Sequence, residues 1–249
     1  MKGFNFKKGV LLAVVFTLCA SLTIFAKGEK ELVPYMSAEA VASSVATLPE
    51  PPQPGSVEFL LDEYHYFNAK LLRNTPRGKQ AVEDVKMDGT VLLQFEEALG
   101  YKITEELMPA TYHLLMRAME CFGTYGCNEA KQYYRRTRPF VYYNERSLVP
   151  KDEKWMKKSY SYPSGHSANF YGLGCILMAL NPDRQNEIYN RAKEGAYSRV
   201  IVGAHWFSDT EASKIVAMTV FARLQSDPEF IADFQAAKEE IERITNKCK

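Results

Sequence analysis

The sequence predicts an all-α fold, a single-domain helical bundle, on three observations. Apolar residues recur at three- and four-residue spacing, in Phe59, Leu60, Tyr64 and Phe67 and again in Leu114, Leu115, Ala118 and Met119. Pro109, Pro139, Pro163 and Pro182 fall between the periodic segments, where helices start or stop. The alternation expected of strands is hardly visible, and no repeat, low-complexity tract or composition shift divides the chain.

Taken in order, residues 1–26 read as a signal peptide. Lys2, Lys7 and Lys8 form a basic start, Val10 to Phe25 an apolar run, and Ala26 a small residue at the cut, which points to a periplasmic or secreted protein. A retained membrane anchor is the alternative, since the run approaches the roughly 18 residues that span a bilayer. Residues 27–55 read as an N-terminal arm without periodicity, ending in the helix-refusing stretch Pro51-Pro52-Gln53-Pro54-Gly55. Residues 56–249 form the helical domain. Its longest apolar stretch, Phe170 to Leu180, is about half of a membrane span and reads as a buried helix behind the site. No stable membrane insertion is therefore expected after signal removal. Asn181 or Asp183 is placed to cap a helix over 183–197. The last segment, Pro228 to Lys249, reads as an amphipathic helix with Phe230, Ile231, Phe234, Ala237, Ile241 and Ile244 toward the body and Lys238, Glu239 and Glu240 outward.

Removing residues 1–26 takes three lysines and no acid, leaving 28 basic against 30 acidic residues. So neutral a chain lacks the broad basic field that a nucleic-acid polymer requires, and its motif cations belong to a local pocket for small anions. Four cysteines remain, Cys121, Cys127, Cys175 and Cys248, with no zinc-site spacing and three possible connectivities. Cys121 and Cys127 are near enough in sequence to pair, and Cys175 reads as a buried free thiol.

Three fragments carry chemistry. Lys131 and Arg138 are seven residues apart, two helical turns, so on a helix ending at Pro139 both heads would point the same way and clamp an oxyanion. Pro163-Ser164-Gly165-His166 sits between a polar loop and an apolar helix, which places Ser164 and Gly165 at a helix N-terminus with N–H groups turned outward to an anion. Ser198-Arg199 is followed by His205 and Asp209, four apart, so on one helix the carboxylate can accept the imidazole N–H and leave the other nitrogen free to attack. Arg199 lies on the wrong face of a continuous helix for this, and Gly203 is placed to break it. Singly, these fragments also read as a solvated basic face, a helix cap and a buried His–Asp pair. Together they supply cations for a phosphate, a nucleophile, an acid and an orienting carboxylate, which favours phosphoryl transfer through a histidine. His65 and His113, among aromatic and leucine-rich residues, read as structural.

In order and spacing these fragments resemble the signature of the type 2 phosphatidic acid phosphatase superfamily: Lys, six residues, Arg-Pro; Pro-Ser-Gly-His; Ser-Arg, five residues, His, three residues, Asp. The chain is further similar to the bacterial class A non-specific acid phosphatases, through Leu71-Leu72-Arg73-Asn74-Thr75, Ile103-Thr104-Glu105 and Asn181-Pro182 with Arg184 to Glu187. The resemblance implies that His205 is the nucleophile, that Asp209 orients it, and that His166 protonates the leaving oxygen and then activates water. It implies that Lys131, Arg138, Ser164, Gly165 and Arg199 hold the phosphoryl oxygens, and that Glu120 acts near His166. It further implies small phosphate monoesters as substrates (nucleotides, sugar phosphates, aryl phosphates), phosphotransferase side activity and a homodimer, with no metal or other cofactor. The chain departs from the class A pattern at Tyr160 and Ser167, which bears on substrate preference. The alternatives on the same site are a vanadate-dependent haloperoxidase, whose members are generally longer, and a lipid-phosphate phosphatase, which needs spanning helices this chain lacks.

Overall fold

The computed structural model describes residues 32–247, so the signal-peptide reading of residues 1–26, the start of the arm and Cys248 lie outside the described residues. The order of elements begins with a 3-10 turn at Ala38–Ala40, α1 (Ser44–Thr47), α2 (Val57–Leu71) and α3 (Pro76–Glu83). A 3-10 segment, Gly89–Phe95, leads into α4 (Glu96–Leu99), and α5 (Pro109–Glu120) joins α6 (Gly126–Tyr134) through a π turn at Cys121–Tyr125. There follow α7 (Pro139–Tyr142), α8 (Glu153–Met156), α9 (Gly165–Leu180), α10 (Gln185–Ile201), α11 (Phe207–Leu224) and α12 (Pro228–Lys247). No strand occurs among the described residues. The fold is all-α, as the periodicity predicts, and no described helix is long and apolar enough to cross a membrane.

Proline opens α3, α5, α7 and α12, where the missing N–H costs nothing and the fixed φ already suits a helix. Side chains cap other starts: Ser56 Oγ accepts the Phe59 N–H and Ser164 Oγ the Ser167 N–H. The helix at the centre is α9. Ala168, Phe170, Leu173, Ile176 and Leu177 are all fully buried on it, and it lies against α5, α6, α10 and α11. A helix apolar on every side can only sit inside, and this one anchors the site at its N-terminus. Asn181 ends α9 rather than capping α10, accepting the Tyr101 hydroxyl at 2.6 Å and donating to the Leu177 carbonyl.

Three expectations are corrected. Glu240, read as outward, is buried and caps α5: its carboxylate accepts the Ala110 and Thr111 N–H groups and the Thr111 hydroxyl. The unpaired N–H groups of a helix that begins at Pro109 attract an anion more strongly than water does. Ile231 of α12, assigned to the body, is 51 % exposed. Cys121 and Cys127 are buried but free, and Cys175 is free and only partly buried.

Residues 32–55 lie on the helical body rather than hanging from it. Tyr35, Met36 and Leu48 are buried, the Tyr35 hydroxyl donates to Asp233 at 2.6 Å, and Ser43 donates to Glu129 at 2.8 Å. Helix α2 is two-sided in an unusual way. Its inner face buries Phe59, Asp62, Tyr66 and Ala69, while Val57, Leu60, Leu61, Tyr64, Phe67 and Leu71 stand exposed along its outer face.

Candidate active site

Four chain reversals bring the predicted residues together. Helix α6 ends at Tyr134, and Arg135 turns the chain in the left-handed region at φ 48°. Lys131 and Arg138 therefore do not share a helix, contrary to the seven-residue expectation. Arg138 is extended backbone before Pro139, and the turn at Arg135 brings the two cations to the same loop. Lys131 Nζ donates to the carbonyls of Tyr160 (3.2 Å) and Pro163, and Arg138 Nη2 donates to the Tyr160 carbonyl at 3.1 Å.

The second reversal starts α9 at Gly165, with Ser164 as its cap. The Ser164 N–H is spent on the Ser213 hydroxyl at 3.1 Å, which leaves the N–H groups of Gly165 and His166 as those at this helix start without a partner inside the helix. Gly165 is required by close packing, since a Cβ there would lie 2.5 Å from the Gly123 carbonyl oxygen of the π turn. The third reversal follows Ile201, the last residue of α10. Gly203 takes φ +83°, and the N–H groups of Ala204 and His205 both bond the Arg199 carbonyl, at 3.1 and 3.2 Å. Arg199 and His205 thereby reach one site, as the glycine suggests. The fourth places His205 just before Trp206, the residue that opens α11. His205 and Asp209 are thus not on one helix: the Asp209 carboxylate turns back to accept the Trp206 N–H at 2.8 Å as it caps the helix.

His205 is 2 % exposed and both of its ring nitrogens have assigned partners. Nδ1 lies 2.8 Å from the Ser161 carbonyl oxygen, which can only accept, so Nδ1 carries the proton. Nε2 lies 2.8 Å from Arg138 Nη1, which can only donate, so Nε2 keeps its lone pair. Asp209 stands 3.4 Å from Nδ1, a second acceptor behind the closer Ser161 carbonyl. Burial, then the charge of Arg138, holds the His205 imidazole well below its usual pKa against the opposing pull of Asp209, which favours the neutral ring.

Asp209 is fully buried and well supplied. Arg136 Nη1 donates to its Oδ1 at 2.7 Å, and Oδ2 accepts the Ser161 hydroxyl and the Trp206 N–H. Burial alone would raise its pKa, but the Arg136 charge and the hydrogen bonds outweigh burial and hold the carboxyl well below the usual range.

The cations differ in how they are satisfied. Arg138 is buried and donates to carbonyls of Met156, Ser159, Tyr160 and Ala204. Burial pulls it down to about 10 and Lys131, with burial ahead of the Arg138 charge, down to about 8. Arg199 is 1 % exposed, yet its Nε and Nη1 have no hydrogen-bond partner among the described residues. Burial and the neighbouring Arg138 bring it down to about 9. A buried guanidinium with two nitrogens left without a partner is costly unless an anion completes it. His166 Nε2 donates to the Val85 carbonyl at 3.2 Å, and burial, then Arg199, His205 and Arg138, push its pKa well down. Those three groups thus lie within electrostatic range of His166.

Glu120, tied to His166 by resemblance, is exposed at the end of α5 with no hydrogen bond or ion pair to another described residue. His65 and His113 stay outside the cluster: His65 stacks on Phe207 at 3.7 Å, and His113 pairs with Asp233. Sequence reasoning missed Arg136, Asp62 and the role of Ser161. Arg136 meets Asp209 and Asp62 at separations of 73 and 74 residues, so no spacing announces it. A cavity of about 320 Å³ between α10 and α11, floored by Tyr171, is lined by none of the candidate catalytic side chains.

The family model described as the PAP2 superfamily matches residues 111–228, a span that holds every candidate from Glu120 to Asp209. The chain is 41 % identical to a non-specific acid phosphatase of Providencia stuartii over 84 % of this chain and 85 % of that protein. It is 37 % identical to a non-specific acid phosphatase of Salmonella typhi over 86 % of each, and 31 % identical to an acid phosphatase of Zymomonas mobilis over 79 % of this chain and 74 % of the other.

The unpaired guanidinium generates a prediction. Arg199→Met removes a buried charge and keeps its bulk, so in phosphate-free buffer it should melt no lower than the unaltered protein, while the rise in Tm on adding inorganic phosphate should largely disappear. A variant that melts lower and keeps the full phosphate response would show that Arg199 serves the fold and not an anion.

Proposed function

We propose that this chain, which belongs to the PAP2 superfamily and is a phosphoric monoester hydrolase, works as a periplasmic or secreted acid phosphatase through a covalent phosphohistidine on His205. The observation that carries the reading is the fixed tautomer of a buried imidazole, with the Nε2 lone pair held beside Arg138. When a phosphate monoester enters, its oxygens take the donors of Arg138, Lys131 and Arg199 together with the Gly165 and His166 N–H groups, and Arg138 Nη1 turns from Nε2 to the ligand. Nε2 then attacks phosphorus, the bond to the leaving oxygen breaks, and His166 protonates that oxygen. Water attacks next, giving its proton to His166 as the P–Nε2 bond breaks and phosphate departs. An alcohol in place of water would make the enzyme a phosphotransferase.

The protonation states favour acidic pH. His205 stays neutral there because its pKa is pushed down, while His166 needs acid to hold its proton. A bound phosphate dianion offsets Arg199 and Arg138, which otherwise depress His166, so substrate itself promotes the acid form. Three cations and a helix N-terminus neutralise the phosphoryl charge, the task that magnesium performs in kinases, and the reaction is proposed to be metal-independent. The Ser164 hydroxyl, which accepts the Ser167 N–H and lies 2.8 Å from Ser167 Oγ, stands with the Gly165 and His166 N–H groups at the helix start that receives the phosphoryl oxygens in this reading. Residues 1–26 support export, with residues 27–55 as the arm and 56–249 as the catalytic domain.

The exposed stripe on α2 supports a homodimer. Six large apolar side chains at helical spacing expose on the order of 600 Å² per chain, most of the ~800 Å² per partner that a specific interface buries.

Hydrolysis of p-nitrophenyl phosphate at acidic pH should persist in EDTA and fall by about 10⁴-fold or more in His205→Ala, with the circular dichroism spectrum unchanged. Appreciable residual activity would exclude His205 as the nucleophile, and loss in EDTA would exclude metal independence. His166→Ala should lose more activity on alkyl phosphates than on nitrophenyl phosphate, whose phenolate leaves without a proton; equal losses would rule His166 out as the acid. Sedimentation equilibrium should show a dimer that Leu60→Glu with Tyr64→Glu converts to a monomer, and a monomeric unaltered protein would contradict the pairing.

A further inference from the structure

Behind the nucleophile runs a line of alternating buried charges that the phosphoryl-transfer steps above do not use. Asp62, on the inner face of α2 and 1 % exposed, accepts the Ser208 N–H at 2.7 Å, the Ser208 hydroxyl at 2.6 Å and Arg136 Nη2 at 2.6 Å. Arg136 Nη2 also donates to the Pro52 carbonyl, and its Nη1 donates to the Ser208 hydroxyl and Asp209 Oδ1, each at 2.7 Å. Asp209 then faces His205 Nδ1. Read outward from the site, the order is imidazole, carboxylate, guanidinium, carboxylate. The guanidinium also stands 5.4 Å over the Trp206 ring, so it is held from the side as well as from both ends.

Resting on the covalent reading above, we propose that Arg136 and Asp62 are positioning residues for the nucleophile. Arg136 fixes the Asp209 carboxylate against His205, and Asp62 offsets the charge of Arg136 so that Asp209 can support the imidazolium of the phosphoenzyme. When phosphorus bonds to Nε2 while Nδ1 keeps its hydrogen, the ring becomes cationic, and it does so beside Arg138 and Lys131, whose charges oppose it. An Arg136 with no second carboxylate would add a third opposing charge and draw on Asp209, the one anion beside the ring among the described residues. With Asp62 in place, the Arg136 charge is shared between two carboxylates, and Asp209 keeps enough negative charge for the ring. The arrangement is also rigid, since the Asp209 Oδ1 donor is fixed at its far end by α2 and the Oδ2 donors come from Ser161 and the α11 start.

The test compares Asp62→Asn, Arg136→Gln and the double variant in the full chain. The readouts are kcat and KM on p-nitrophenyl phosphate, and inorganic phosphate binding by calorimetry, with turnover expressed per phosphate-binding site so that unfolded protein does not count. Asp62→Asn should lower kcat by about tenfold or more, with KM and phosphate affinity within about threefold of the unaltered protein. The double variant, in which no uncompensated cation faces Asp209 and Gln can still donate to Oδ1, should turn over faster than Asp62→Asn alone. An unchanged kcat in Asp62→Asn, a loss that appears in KM and phosphate affinity, or a double variant no faster than the single one would each overturn the proposal. Should Asp62→Asn not fold, the charge-balanced double variant decides: kcat within about tenfold of the unaltered protein is expected, and a larger loss overturns it. Absence of turnover in the unaltered protein would overturn the covalent reading and this inference with it, whereas normal turnover with an indifferent Asp62→Asn would overturn this inference alone.

Discussion

The structure depends on how the His205 ring is held. A buried imidazole offered a carbonyl acceptor on one nitrogen and a guanidinium donor on the other has a single neutral tautomer open to it, and here that tautomer exposes the lone pair of Nε2. Everything around the ring serves this constraint. Gly203 ends α10 so that the Arg199 carbonyl can receive the His205 N–H, and the start of α11 brings Asp209 back toward Nδ1. The loop before α9 supplies both the Ser161 carbonyl and the Ser164 cap. That loop is pinned in turn by Lys131 and Arg138, the same cations that are expected to release part of their hold when phosphate arrives.

Such a site works against the fold that contains it. Three cations lie close together, burial depresses each of them, and Arg199 keeps two nitrogens without a partner. Leaving a buried charge uncompensated costs on the order of 3–5 kcal/mol when a pair is broken, a large fraction of the margin of a domain this size. The surrounding helices offset the strain on the site by being unremarkable elsewhere: α9 is apolar on all sides, α5 is capped by Glu240, and the arm fills the surface near α6 and α12. In the proposed function a phosphate monoester supplies the counter-charge, and binding energy and catalytic electrostatics would then come from the same groups.

Much of this is legible in the sequence, and what is not has a physical reason. The helices show because their periodicity and proline stops are local, and the start of α9 shows because Pro163 to His166 is a contiguous fragment. The convergence of Lys131 with Arg138 is also legible, but through the wrong geometry, since a left-handed Arg135 and not a shared helical face brings them together. Four-residue spacing suggests one helix for His205 and Asp209, whereas a helix start can fold a residue back on its predecessor at the same spacing. The amphipathic pattern puts Glu240 outward because it carries no sign that another helix presents bare N–H groups opposite it. The pairing of Arg136 with Asp62 and Asp209 is not legible, because ion pairs formed across 73 or 74 residues leave no mark in a periodicity.

The central claim is a covalent bond between phosphorus and a protein nitrogen, and the stereochemistry at phosphorus reports on it without reference to any variant. A thiophosphate monoester made chiral by one heavy oxygen isotope, hydrolysed in water carrying a third isotope, yields a product whose configuration counts the displacements. Two in-line displacements, onto His205 and then onto water, give net retention, which this account predicts. Inversion would mean that water attacks the substrate directly, and the phosphohistidine would have no part in the reaction.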